Sequence, residues 1–193
     1  MGRQPARVLE EKDVRRLLAL TNHYRQSDRN AVIVMLSFKA GLRACEIAGL
    51  TWSMALTTSD RIADHLTISG TIAKYGNGRL VPIHTELRKA LKRYHKAVGR
   101  PSNGPLVRSQ RRSAMSPRSI VNWFRDAYAE LGLEGCSSHS GRRTFITRSA
   151  RLINTTGGSL KDVQELAGHR ALTTTERYIE GDREAQRKLI AMI

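Results

Sequence analysis

Negative charge, cysteine and long apolar runs are all scarce in this chain. Its 17 aspartates and glutamates are outnumbered by 33 lysines and arginines, and the surplus of 16 positive charges is spread along the whole length. Such a surplus favours contact with phosphates, so nucleic acid is the expected partner, with a merely basic soluble protein as the alternative. Only two cysteines occur, Cys45 and Cys136. They lie far apart and match no metal-ligand spacing, so each is expected to be a small buried hydrophobe in a reducing cytosol and not half of a disulfide. No window approaches the roughly 18 apolar residues that a membrane span needs. The N-terminal "MGRQPARVLEEKDV" has no apolar run behind its basic residues, which argues against a secretory leader. Ala6 stands where a myristoylation signal needs Ser or Thr.

What is present reads as one unit of 193 residues, enough for one substantial core, without internal repeats or low-complexity blocks. Val14, Leu17 and Leu18 recur at helical spacing between Leu9 and about Tyr24. Ser27 and Asp28 are expected to cap a second helix, whose run "AVIVMLSF" is apolar all round and therefore central. A short third helix carries Arg43, Glu46 and Ile47. The middle changes period: "DHLTISG", "TIAKYG" and "RLVPIH" are short, β-branched and separated by glycines, which predicts a small antiparallel three-stranded sheet with Pro82 on an edge. Helices return with Leu87, Leu91, Tyr94 and Val98 in one stripe opposite a strongly basic face. An irregular loop follows, then a helix capped by Ser116 with Pro117 in its first turn and Ile120, Phe124, Ala127, Tyr128 and Leu131 on one side. Further helical patterns cover about 140–153, 159–168, 173–180 and 183–192. The fold class is thus α+β and mainly α-helical.

Groups able to handle a phosphate fall in a fixed order: Arg43 in "GLRACEI", Lys74 in "IAKYGNGRLVPIH", His139 and Arg142 in "HSGRR", His169 in "ELAGH", and Tyr178 nine residues later in "RALTTTERYIEG". Taken singly each has an ordinary reading. Arg43 and Glu46 can form an intrahelical ion pair, Lys74 can be solvated, His169 can meet a helix C-terminus, and Tyr178 can simply pack. Taken together, over residues 9–180, the set and its flanks resemble the catalytic domains of the tyrosine recombinase (phage integrase) family.

The resemblance implies that Tyr178 attacks a scissile phosphate of duplex DNA, leaving a 3′-phosphotyrosyl link and a free 5′ hydroxyl. Arg43 and Arg142 would clamp the non-bridging oxygens, His139 would help remove the phenolic proton, Lys74 would protonate the departing 5′ oxygen, and His169 would hold a phosphate oxygen. The physical chemistry agrees: guanidinium groups offer planar, permanent donors to a phosphate gaining charge, and a phenol is a weak nucleophile at its free pKa of about 10. Bond energy kept in the intermediate means that neither a cofactor nor a metal is required. The family reading also implies a prokaryotic or phage origin, work in the cytoplasm, a monomer that assembles as a tetramer on two DNA sites, and accessory proteins that bend DNA. Relatives often carry an N-terminal core-binding domain, for which there is no room before Leu9. The tail 181–193, with Leu189, Ile190, Met192 and Ile193, either packs on its own domain or docks on a neighbouring protomer. The usual family box, His-x-Leu-Arg-His, departs here to Gly141 and Arg143. Two other readings remain: a type IB topoisomerase-like enzyme that nicks and reseals one duplex, and a non-catalytic DNA-binding regulator.

Overall fold

The structure, a computed structural model, describes residues 4–178 together with residues 187, 190 and 191. Of the expected helix over 183–192 only Arg187, Ile190 and Ala191 are among the described residues, and of the apolar tail patch only Ile190, which is exposed. The described chain runs α1 (Glu11–Thr21), α2 (Ser27–Lys39), α3 (Ala44–Gly49), β1 (His65–Ile68), β2 (Arg79–Pro82), α4 (Thr85–Ala97), α5 (Pro117–Glu130), α6 (Ser140–Leu152), α7 (Leu160–Ala167) and α8 (Leu172–Glu176). None of these helices is long and apolar enough to cross a membrane.

The run that is apolar all round becomes the central helix. Val32, Ile33, Val34 and Leu36 of α2 are completely buried, and α1, α3, α4 and α6 all pack against it. Helix α4 supplies Leu87, Leu91 and Tyr94 to the same core, and α5 supplies Ile120, Phe124, Ala127 and Tyr128. Ser116 caps α5 by accepting the Ser119 backbone N–H at 3.1 Å. Helix α6 approaches α2 unusually closely through Gly141, where a Cβ would lie 2.2 Å from Ser37 Oγ and 2.9 Å from a Phe38 ring carbon. This contact gives the glycine in the family box a physical reason. Gly141→Ala should therefore overpack the junction and destabilise the fold by about 1–3 kcal/mol, seen as a lower urea midpoint; an unchanged midpoint would contradict the close packing.

Four expectations need correction. Among the described residues the sheet has two antiparallel strands, not three, with Leu66 opposite Val81 and Ile68 opposite Arg79. The segment read as the middle strand curls instead, because the N–H groups of Ile72 and Ala73 both donate to Ser69 O, at 3.2 and 3.1 Å, while the Ile72 side chain covers Gly49 of α3. Ile72 is thus half-buried against a helix and not in a ladder. Ser27 and Asp28 do not cap α2: the N-cap is Gln26, Ser27 begins the helix, and Asp28 pairs with Arg93 of α4. Cys45 is exposed and Cys136 only half-buried, both as free thiols, since the buried side of α3 is taken by Glu46, Ile47 and Ala48. Finally, α8 ends at Glu176, so Tyr178 lies on the turn after it.

Candidate functional site

Arg43 occupies the N-cap of α3, where it faces Glu46 in the first turn. The Glu46 carboxylate accepts the Arg43 backbone N–H at 2.8 Å and its guanidinium at 3.1 Å. A second guanidinium, from Arg79 at the start of β2, binds both carboxylate oxygens at 2.7 and 3.1 Å and also donates to Leu166 O of α7 at 2.9 Å. Burial alone would raise the Glu46 pKa, but the hydrogen bonds and charges of Arg79 and Arg43 outweigh it and hold the carboxyl below its usual range. One buried anion thus orients two cations, leaving a net positive charge.

Arg142 projects from the first turn of α6 and is 96% buried, being 4% exposed. Its two terminal nitrogens each donate 2.6 Å hydrogen bonds, one to Gly41 O and the other to Ala167 O. Burial first, and the Arg43 cation second, push its pKa down to about 9, which keeps it protonated at neutral pH. Helix α7 ends at Gly168, whose left-handed φ of 63° turns the chain so that His169 N–H donates to Gln164 O at 3.0 Å. The Gln164 amide pins the same turn by donating to His169 O and Arg170 O, at 3.0 and 3.2 Å.

The His169 ring is set by Thr175, whose hydroxyl lies 3.0 Å from Nδ1. Burial, followed by the cations of Arg142, Arg43 and Arg79, lowers its pKa from 6.5 to about 4, so the imidazole is neutral at pH 7. When Thr175 donates to Nδ1, the other nitrogen carries the hydrogen and is a donor. The linkage has a definite sign. The unfolded chain protonates this histidine near 6.5 and the folded chain only near 4, so the contribution to stability is full above about 6.5 and is lost as the pH falls toward 4. His169→Gln should accordingly flatten the fall in urea midpoint between about pH 7 and about pH 5; an identical fall in both proteins would contradict the neutral ring.

The Tyr178 ring is half-buried and stacks on His169, with centroids 5.7 Å apart and planes at 21°. The Arg143 guanidinium lies 5.7 Å from the same ring centroid, within cation–π range. This is the second departure from the family box, and it stands beside the phenol. Beneath, the ring packs on a small apolar cluster of Ile146, Val163 and Ala167 flanked by Phe145 and Ile153.

His139 is the N-cap of α6 and Lys74 lies in the 3₁₀ turn between the two strands; both are exposed. Arg43, Lys74, His139, Arg142, His169 and Tyr178 all line one cleft of about 1040 Å³, joined by Arg143 and Arg170. Among the described residues no carboxylate lines it. All six residues read from the sequence are therefore brought together across 135 positions of chain. Three supporting residues were not read: Arg79, although its Arg-x-Val-Pro setting belongs to the family-like flanks; Gln164; and Thr175, within the threonine run before Tyr178.

The model of the phage integrase family matches residues 7–184. The tyrosine recombinase XerC of Brucella suis biovar 1 (strain 1330) is 31% identical over 153 residues, covering 78% of this chain and 45% of that protein. The tyrosine recombinase XerA of Thermococcus kodakarensis is 29% identical over 188 residues, covering 94% of this chain and 62% of that protein. The chain thus spans about half the length of the relatives it matches. The crystal structure of a XerA recombinase superposes with a TM-score of 0.73 at 24% identity, over 100% of this chain and 66% of the other. The Tn1549 transposon integrase, in complex with a circular intermediate DNA, gives 0.75 at 20% identity over 98% and 67%. These solved chains share the mainly helical fold.

Proposed function

The chain belongs to the phage integrase family, and from that premise we propose that it cleaves and rejoins duplex DNA at specific sites through Tyr178. The observation that carries this reading is the shared cleft: six groups suited to phosphoryl transfer, with several cations and, among the described residues, no carboxylate at its wall. Arg43 and Arg142 clamp the non-bridging oxygens of the scissile phosphate, both held in place by protein acceptors before substrate arrives. His169, neutral and fixed by Thr175, donates to a phosphate oxygen without adding repulsion to the neighbouring cations. The Tyr178 oxygen attacks phosphorus as its proton passes to His139, the P–O5′ bond breaks, and Lys74 supplies the proton that leaves with the 5′ oxygen.

The reverse attack, by a 5′ hydroxyl of a second duplex, closes a new strand and frees Tyr178. Exchange between two duplexes needs an active protomer at each cleaved strand, so assembly on DNA, as a tetramer across two sites, is part of this reading. The relatives of known structure include the XerH recombinase bound to its difH substrate and a λ integrase dimer bound to a COC′ core site; DNA is the partner proposed here by the same chemistry. The test is a library of nicked duplexes in which the 5′ hydroxyl product diffuses away. A denaturant-resistant protein–DNA adduct with a free 5′ hydroxyl is expected. Binding by folded protein without any adduct across the library would favour a regulator that only occupies DNA, and efficient relaxation of supercoiled plasmids without selected sites would favour the topoisomerase reading.

A further inference from the structure

Helix α4 carries a ladder of cations that the cleft does not use. Arg88, Lys92 and Lys96 recur at four-residue steps, and Arg100 extends the interval just beyond the helix. Residues four apart lie on one face, about 6 Å apart along the axis. Like charges at that spacing repel one another. Among the described residues only Arg88 is relieved, by Asp64 at 2.7 Å and by Ile62 O at 3.1 Å. Among the described residues Lys92, Lys96 and Arg100 form no ion pair, and neither does Arg61 facing them. A helix C-terminus accounts for a cation at Lys96; it does not account for Lys92 or Arg61.

The ladder also borders a concavity of about 830 Å³, which shares no lining residue with the Tyr178 cleft. The backbone is bent to form it. Asp60 and Arg100 both line this hollow, and they are two of the three non-glycine residues with positive φ among those described, at 54° and 53°. L-residues enter that region at a cost. For Arg100 the turn is closed by its N–H donating to His95 O at 2.8 Å, which folds the chain back and keeps the fourth cation with the other three. The floor is firm, since His95 is buried against Trp52 with ring centroids 4.6 Å apart.

We propose that this concavity is a second contact site for the phosphate backbone of duplex DNA, separate from the cleft where strands are cut. Repeating cations suit repeating phosphates. No Phe, Tyr or Trp lines the hollow, so unstacked bases of a single strand find no platform there, and a duplex, whose bases are turned inward, is the better fit. The choice of DNA as the polyanion rests on the reading of the cleft. Contacts here add affinity and hold a duplex arm without touching the reacting phosphate.

The experiment compares wild type with Lys92→Gln/Lys96→Gln/Arg100→Gln, all exposed positions, by fluorescence anisotropy on a long duplex across a salt series. Each lost phosphate contact lowers the slope of log affinity against log salt by about 0.9. Three contacts lower it by about 2.7, so between about 50 and about 200 mM salt the wild type should lose about 40-fold more affinity than the variant. Adduct yield on a saturating nicked duplex should stay at the wild-type level. Lys12→Gln/Arg15→Gln/Lys161→Gln, also exposed, makes the same change in net charge elsewhere and should leave the slope nearly unchanged. An unaltered slope in the first variant, an equal fall in the control, or a loss confined to single-stranded DNA or RNA would each overturn the proposal. Absence of adduct from wild type would instead defeat the reading of the cleft, whichever way the slopes fall.

Discussion

Tyr178→Phe should lower the rate of covalent adduct formation by at least about 10⁴-fold while leaving duplex affinity and thermal stability close to wild type. The substitution removes one oxygen and nothing that holds the ring. The stacking on His169, the Arg143 guanidinium, and the apolar support from Phe145 and Ile153 all act on ring carbons that phenylalanine keeps. In the proposed reaction phosphate binding falls to other groups, chiefly Arg43 and Arg142, whose own orientation comes from Glu46 and from the carbonyls of Gly41 and Ala167. Nucleophile and clamp are therefore separable. Denaturing gels of a nicked duplex, beside anisotropy on the same DNA, measure both quantities in one preparation. An adduct that persists in the variant would assign the attack to another residue.

Glu46→Gln carries the next largest effect, and it strikes stability as well as chemistry. The carboxylate is fully buried and is the shared anion of Arg43 and Arg79, which in turn bridges to α7 through Leu166 O. An amide keeps one acceptor and the volume but leaves two closely placed guanidinium groups without their charge partner. Breaking a buried pair in this way costs about 3–5 kcal/mol, read from urea unfolding. The adduct rate should also fall by about 10²–10³-fold, the range for losing one oriented donor at a developing charge, because Arg43 is no longer held at the N-cap of α3. Normal stability in Glu46→Gln would show that the two arginines do not depend on this anion.

Most of the helical fold was legible because its signals are local. The all-apolar run of α2, the Ser116 cap of α5 and the stripe of α4 each follow from spacing along the chain. The six cleft residues were legible for a different reason, their residue types and flanks standing in a recognisable order. What escaped depends on contacts between distant segments. Ile72 sits in a strand-like sequence, yet α3 offers it a better burial site over Gly49, and no local pattern reveals that competition. Cys45 follows the composition rule for buried thiols but falls on the outer side of a six-residue helix. The Arg43–Glu46 pair follows from their i, i+3 spacing, but Arg79, 33 positions from Glu46, takes the remaining capacity of that carboxylate. The pairing is invisible until β2 is laid against α3 and α7.

In the proposed reaction the phenol of Tyr178 becomes bonded to a DNA 3′ phosphate. That bond is tested most directly by digesting the trapped adduct with protease and nuclease and fragmenting the product in a mass spectrometer. The expected spectrum places a 3′-linked nucleotide on the peptide containing Tyr178, with Tyr178 itself as the modified residue. A nucleotide on any other side chain, or one joined through its 5′ phosphate, would contradict the account.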